Sequence, residues 1–345
     1  MAEKILVAMS GGVDSAVAAL ILLEAGYDVS SATFMVTDES EATASEARRV
    51  AEKLGIAHTV VDYRKQFKED VMDFFAESYR KGLTPNPCVR CNNRIKFGKL
   101  LEFAAECGCS RLATGHYAKN EPEEKSGRPL LKMGKDLAKD QSYFLYTLTE
   151  GVLSRVIFPL GNYDKQMVRD IAQKHGLVNP QKPESQDICF IADDYRDFLT
   201  GYLGGTAGKP GDFVDSSGQI LGRHKGVFAY TVGQRRGMGV SSDTPLYVVG
   251  KNAEANQVIL GRENELYADS LTAVDVTTVS GEGFDKNAVY DAKIRYSKQT
   301  AKARVIHRTD GTVKVEFLTL QRAVAPGQSV VIYSGDVVIG GGVIK

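Results

Sequence analysis

The sequence has no net charge to spare: 43 Lys and Arg stand against 43 Asp and Glu in 345 residues. Any nucleic-acid partner must therefore be held by local basic patches and not by a global field. It has no apolar run of membrane-spanning length, and its first residues do not read as a signal peptide. Cysteine is scarce. Five residues, an odd number with two close pairs, do not resemble a secreted disulfide framework and suit reduced, reactive thiols in the cytoplasm. No internal repeat is present. What remains is ordinary for a soluble globular chain, with 43% hydrophobic and 25% charged residues, long enough for two or three domains.

The most informative segment is Ser10-Gly11-Gly12-Val13-Asp14-Ser15. An apolar run at 4–9 before it reads as a buried strand, and 16–24 after it reads as a helix. A Gly-Gly turn between strand and helix lets the backbone approach a ligand. It also aims free N–H groups and the positive end of the helix dipole at an anion. The hydroxyls of Ser10 and Ser15 add donors. The run lacks the Gly-Lys-Ser/Thr ending of a Walker A loop, so no lysine is placed for the β- and γ-phosphates. It resembles the PP-loop of ATP pyrophosphatases. That resemblance implies cleavage of ATP between the α- and β-phosphates, with pyrophosphate held in this cradle.

Strand-like and helix-like stretches alternate through the first half: strands at 27–35, 57–63 and 111–114, helices at 41–54, 67–80 and 92–107. This order predicts a doubly wound parallel sheet with ligands at the carboxyl ends of its strands. The Ser10 loop, Phe34-Met35 and Gly115-His116 should meet at one edge. The run 121–127 reads as an exposed hairpin tip, and shorter helices are expected at 142–148 and 165–175. A glycine-dense stretch at 201–211 reads as linker or turns. Beyond it short alternating runs dominate, at 226–230, 246–249, 257–260, 288–296, 303–307, 312–317 and 329–333. The expected organisation is an α/β catalytic domain at 1–200, a small β-rich middle domain at 201–265 and a C-terminal β-barrel at 266–345.

Asn86-Pro87-Cys88-Val89-Arg90-Cys91-Asn92 lies just before a predicted helix. A helix N-terminus and Arg90 should stabilise a thiolate there. No second Cys-x-x-Cys or His pair completes a zinc site. Cys189, in Ser185-Gln186-Asp187-Ile188-Cys189-Phe190, would by itself read as a small buried hydrophobe, as would Cys107 and Cys109. Basic residues cluster at Arg223, His224, Lys225, Arg235 and Arg236, and again at Lys293, Arg295, Lys298, Lys302, Arg304, His307 and Arg308. Such clusters are either solvated faces or RNA contacts.

Together these segments resemble the bacterial tRNA-specific 2-thiouridylases over nearly the whole chain. The likeness rests on 8–15, on Asn86-Pro87 with Cys91-Asn92 and 95–97, and on Ala113-Thr114-Gly115-His116-Tyr117. It continues through 139–144, 185–190, 230–237, Arg295-Tyr296 and 323–328. The resemblance implies adenylation by Mg²⁺-ATP of the C2 oxygen of the wobble uridine in glutamine, glutamate and lysine tRNAs. Sulfur from a cysteine desulfurase or relay protein then replaces that oxygen. Carried over by position, Cys189 is the persulfide carrier and Cys91 the second thiol, with a Cys91–Cys189 disulfide in the cycle. Ala8, Met9, Ser10, Gly11, Gly12, Val13, Asp14, Ser15, Met35 and Gly115 are the ATP contacts, Met35 against the adenine. Asn86, Pro87 and Cys88 meet the target base. His116, Lys139, Asp140, Gln141, Arg295, Tyr296 and Gln328 meet the tRNA. The base must be flipped into its pocket, which a single-stranded anticodon loop allows at small cost.

Many relatives carry Asp where this chain has Cys88. Cys88, Cys91 and Cys189 could therefore ligate a [4Fe–4S] cluster with an open iron, and both sulfur routes stay open here. Two other functions are also consistent with parts of the sequence. A PP-loop ligase for a small metabolite would leave the thiols and the β-rich half unused. A non-enzymatic RNA-binding module would leave the PP-loop unused.

Overall fold

The computed structural model describes residues 2–177, 188–191, 194–204 and 208–345. Its first layer is a parallel sheet built from β1 (Lys4–Ala8), β2 (Asp28–Met35), β3 (His58–Asp62) and β4 (Arg111–Ala113). After a hairpin of β5 (Ala118–Pro122) and β6 (Pro129–Met133), β7 (Val156–Ile157) completes it in the order β3-β2-β1-β4-β7. Every pairing in this sheet is parallel. The order reverses between β1 and β4, and the crevice at their carboxyl ends is where such sheets bind ligands. Each face has its own core. On one side Val17, Ala18 and Ala19 of the helix Val13–Glu24 pack with Ala47, Val50, Val168 and Ala172. On the other Phe67, Val71, Ile95, Leu100 and Leu101 fill the space.

The helix expected at 92–107 is not uniform. It runs as an α-helical turn over Pro87–Cys91, a π-helical stretch over Asn92–Lys99 and an α-helix over Leu100–Glu106. The Leu100 N–H reaches Ile95 O, five residues back. Gly98 fits this winding, because a Cβ there would lie 3.0 Å from the carbonyl oxygen of Asn93. Such wider turns are rare and collect at functional sites.

The middle domain is a four-stranded sheet of β8 (Gly211–Val214), β9 (Ile220–His224), β10 (Tyr247–Asn252) and β11 (Gln257–Gly261), ordered β10-β11-β8-β9. The helix Tyr195–Leu203 leads toward it, so 201–203 are helical and not linker. The strand expected at 226–230 is corrected to a 3-10 turn at Val227–Ala229, since Gly226, with φ 137°, breaks extension.

The C-terminal barrel has six strands: β12 (Tyr267–Thr278), β13 (Tyr290–Lys293), β14 (Ala301–His307), β15 (Val313–Arg322), β16 (Ser329–Ser334) and β17 (Val337–Ile344). They run β12-β15-β14-β13-β16-β17, and pairing of β12 with β17 closes the ring, removing both edges. The β5–β6 hairpin joins this sheet through Val337 opposite Lys132, stitching the barrel to the α/β domain. A second seam forms where the Thr84 N–H donates to Pro326 O at 2.8 Å and the Gln328 amide donates to Thr84 O at 3.0 Å. Among the described residues no helix is long and apolar enough to cross a membrane.

Candidate active site

The phosphate-loop candidate is tied together by its own hydrogen bonds. Ser15 Oγ accepts from the Ser10 N–H at 3.1 Å and donates to Gly12 O at 3.1 Å. Gly11 has φ 68°, and a Cβ there would lie 2.7 Å from Glu46 Cβ, so conformation and packing both require glycine. Gly115, after β4, fits tightly too: a Cβ would stand 3.0 Å from Asp14 C and Ser15 N. The sequence places no lysine at this loop, and the fold corrects that. Lys165, 151 residues further on, donates to both Asp14 oxygens at 2.7 and 2.9 Å. It opens the helix Lys165–Lys174, and Tyr117 Oη also donates to Asp14, at 2.8 Å.

A cavity of about 440 Å³ joins this loop to the thiols. Ala8, Met9, Ser10, Asp14, Ser15 and Gly115 form one end; Pro87, Cys88, Cys91 and Cys189 form the other; His116 and Gln141 lie on its wall. Gly11, Gly12 and Val13 build the turn but are not among the lining residues. Nor is Met35. Its neighbours Phe34 and Val36 line the cavity, because successive strand side chains alternate.

The three thiols are free. Their environment reverses the expected activation. Burial pushes the Cys91 thiol up to about 12. Cys88 and Cys189 open onto the cavity, yet the surrounding walls still raise both above the ordinary thiol value. Arg90 does not help. Its guanidinium turns away, donating to Asp70 O at 2.7 Å and covering the Phe74 ring at 4.6 Å. The charge that lowers all three thiols belongs to Lys96. Lys96 Nζ lies 3.4 Å from His116 Nε2, and His116 Nδ1 lies 2.7 Å from Thr114 Oγ1. Burial, then Lys96, holds His116 well below its usual range, so the ring is neutral.

Asn86 caps the thiol-bearing helix by accepting from the Val89 N–H at 3.4 Å; it is not among the cavity-lining residues. The tRNA-contact candidates separate. Tyr296 is 48% exposed and lies 4.6 Å, ring to ring, from the cavity residue Phe144. Arg295 is exposed, and its guanidinium donates to Arg322 O. Lys139, next to Asp140 in sequence, is half-buried. Asp140 is corrected to an internal residue: it is 2% exposed and pairs with Lys293 at 3.3 Å. Lys293 and His224 thereby leave the proposed basic faces. His224, also 2% exposed, accepts from the Gly226 N–H at 3.0 Å. Gln328 spends its amide on Thr84, as above.

Cofactor chemistry can be tested against these donors. Magnesium needs hard oxygen ligands, and Asp14 is the one carboxylate among the described cavity-lining residues. It fits a metal carried in with a triphosphate. No group of three or more described His, Cys, Asp or Glu residues could hold a single metal ion. Cys88, Cys91 and Cys189 line the same cavity, and thiolate is the donor type an iron–sulfur cluster takes.

Three family models cover the chain. A tRNA methyl transferase HUP domain matches residues 3–193, a tRNA methyl transferase PRC-barrel domain 196–262 and an aminomethyltransferase beta-barrel domain 268–344. A tRNA-specific 2-thiouridylase MnmA of Treponema denticola is 46% identical over 99% of this chain and 98% of its own. Its counterpart in Acetivibrio thermocellus is 45% identical over 99% of both. A solved 4-thiouridine synthetase–RNA complex with bound ATP is more remote, at 20% identity, 55% of this chain, 45% of that one and a TM-score of 0.36. Full-length identity of this order, on a HUP domain followed by two β domains, shows that the chain belongs to the tRNA-specific 2-thiouridylase family.

Proposed function

We propose that this enzyme replaces the C2 oxygen of the wobble uridine in tRNA with sulfur, using ATP. One observation carries the reading: the phosphate-type loop and three thiols open onto a single cavity. The chemistry needs both ends. Uracil oxygen is a poor leaving group, and attack by O2 on the α-phosphorus, with loss of pyrophosphate, converts it into one. Ser10, Ser15 and the N–H groups of the turn receive the departing anion. Lys165 and Asp14 would part as Mg²⁺-ATP enters, the carboxylate toward the metal and the ammonium toward phosphate. Mg²⁺ would neutralise phosphate charge.

The terminal sulfur of a Cys189 persulfide, charged by a desulfurase or relay protein, then attacks C2, and AMP leaves with the oxygen. Cys91 thiolate attacks Cys189 Sγ. The electron pair of the broken S–S bond stays on the base-bound sulfur, and an external thiol must reduce the Cys91–Cys189 disulfide. Tyr296 beside Phe144 suits a base stack at the cavity mouth. Glutamine, glutamate and lysine tRNAs are the proposed substrates.

Mass spectrometry of a wobble-uridine tRNA incubated with ATP, Mg²⁺ and a persulfide source tests the reading. A mass gain of sulfur for oxygen supports it. Pyrophosphate release with a small acid alone would favour a metabolite ligase, and none under any condition a binding module. The alternative sulfur route is a [4Fe–4S] cluster on Cys88, Cys91 and Cys189, and the lining of one cavity by all three supports it. Anaerobic purification with iron and sulfide analysis separates the two. Colourless, metal-free protein active at full rate excludes the cluster.

Two expected results follow from the same geometry. Lys165→Ala should raise the KM for ATP by about tenfold to a hundredfold, the worth of a charged hydrogen bond, in a pyrophosphate-release assay. Charge reversal at Arg295 and Lys302 should weaken tRNA binding in a filter assay while ATP binding persists. Lys302 is paired only at the surface, with Asp291 at 3.0 Å, so the fold should tolerate its reversal.

A further inference from the structure

Among the described residues, four buried side-chain polar atoms have no hydrogen-bond partner: His58 Nε2, Thr84 Oγ1, Asn92 Oδ1 and Thr147 Oγ1. Of these four residues only Asn92 lines the cavity. It is 2% exposed, so solvent does not satisfy the oxygen. The orientation of the amide follows from its other end. Nδ2 donates to Phe144 O at 3.1 Å, and a carbonyl can only accept, so Oδ1 is the end left over. The backbone is fixed as well. The Asn92 N–H donates to Cys88 O and Val89 O at the end of the helix Pro87–Cys91, and the π-helical stretch begins at this residue. An acceptor held this way without a donor costs stability, which a ligand N–H seated against the wall would restore. Asp14 and Gln141, also on the cavity wall, instead spend their oxygens on Lys165 and Tyr117.

We propose that Asn92 Oδ1 accepts the N3–H of the target uracil and so selects uridine over cytidine. The inference rests on the sulfur-transfer reading and deepens it. Uracil and cytosine carry the same C2 carbonyl, so the reacting group alone does not tell them apart. They differ at the ring atom beside it: N3 of uracil bears a proton, and N3 of cytosine a lone pair. The proton pairs with a fixed amide oxygen. The lone pair is repelled by it and leaves that oxygen unpaired. A site built to hydrogen-bond one base rejects an analogue lacking the donor far more strongly than an apolar pocket does. Asn92 follows Cys91 directly, and both line the cavity, so the selecting group adjoins a thiol of the proposed transfer.

The test is tRNA-dependent pyrophosphate release by the full-length protein, with tRNAs that differ only in a wobble uridine, cytidine or 3-methyluridine. The last keeps both carbonyls of uracil and replaces only the N3 proton. In wild type, kcat/KM with cytidine or 3-methyluridine should lie at least about a hundredfold below that with uridine. Asn92→Ala removes the acceptor and makes room for the methyl group. Its kcat/KM with uridine should fall about tenfold to a hundredfold, and both ratios should shrink at least about tenfold. Asn92→Ser, too short to reach the base, should match it, and cooperative thermal melting establishes that each variant is folded. An unchanged uridine-to-cytidine ratio in either folded variant overturns the proposal, because Asn92 would then only hold Phe144. Wild type that accepts 3-methyluridine as readily as uridine overturns it without any variant. Wild type that releases no pyrophosphate with any wobble-uridine tRNA sinks the sulfur-transfer reading, and this inference with it.

Discussion

Cys189→Ala should lower 2-thiouridine formation by about a thousandfold or more, while tRNA-dependent pyrophosphate release continues. The split follows from the two ends of the cavity. In the proposed reaction, activation of the base uses the loop around Ser10 and Ser15, and no thiol is needed until the C2 oxygen has been adenylated. Cys189 is held at the cavity by the residue after it. Phe190 packs edge-on against Phe67 and Phe75, each at 5.5 Å, and lies 5.2 Å from Phe198 of the helix leading to the middle domain. Alanine removes the sulfur and leaves that anchor intact. Cys107→Ala, at an exposed site outside the cavity lining, should change neither reading. Product formed by Cys189→Ala at the wild-type rate would remove this thiol from the pathway. Joint loss of product and pyrophosphate would put it before adenylation. If the cluster route operates, the same variant should also lose iron, which elemental analysis detects.

The sequence made the loop legible because its demands are local: two glycines, two hydroxyls and an Asp between a strand and a helix. The parallel order of β1 to β4 was legible for the same reason, since each alternation of period spans a few residues. Lys165 was not, because nothing near it marks a partner 151 residues away. The π-helical stretch was not, because propensity does not distinguish it from α-helix, and with it Lys96 was missed. Strand β17 was hidden by Gly340, Gly341 and Gly342, which weaken a strand pattern yet are required here. A Cβ on Gly342 would lie 2.8 Å from Val274 O on the paired strand. Thiol activation was misread because Arg90 adjoins Cys91 in sequence but turns toward Asp70 and Phe74. Lys293 and His224 looked like surface charge because a sequence shows a charge without its partner, and Asp140 entered as a tRNA contact only through its position in the family resemblance.

Asp140→Ala should destabilise the protein by about 3–5 kcal/mol in denaturant unfolding, the cost of leaving a buried charge without its partner. Lys293, at the end of β13, reaches across from the barrel; both side chains are at most 6% exposed. The Asp140 carboxylate also accepts from the N–H groups of Gly134 and Ser142, each at 3.1 Å, and from Ser142 Oγ at 2.9 Å. Alanine therefore strands two backbone donors as well as the ammonium. Asp140→Asn combined with Lys293→Met removes both charges and keeps an acceptor. It should recover much of the loss, and a double-mutant cycle reads the coupling. The pair is joined to the phosphate loop. Gln141 exchanges hydrogen bonds with the Tyr117 backbone at 2.8 and 3.0 Å, and Tyr117 Oη donates to Asp14. A barrel lysine thus braces the carboxylate beside the nucleotide cradle through Asp140, Gln141 and Tyr117. Asp140→Ala, assayed well below its unfolding midpoint, should accordingly show a raised KM for ATP. Wild-type stability would mean that water replaces the lost partner. Lost stability with an unchanged KM would confine the pair to holding the domains together.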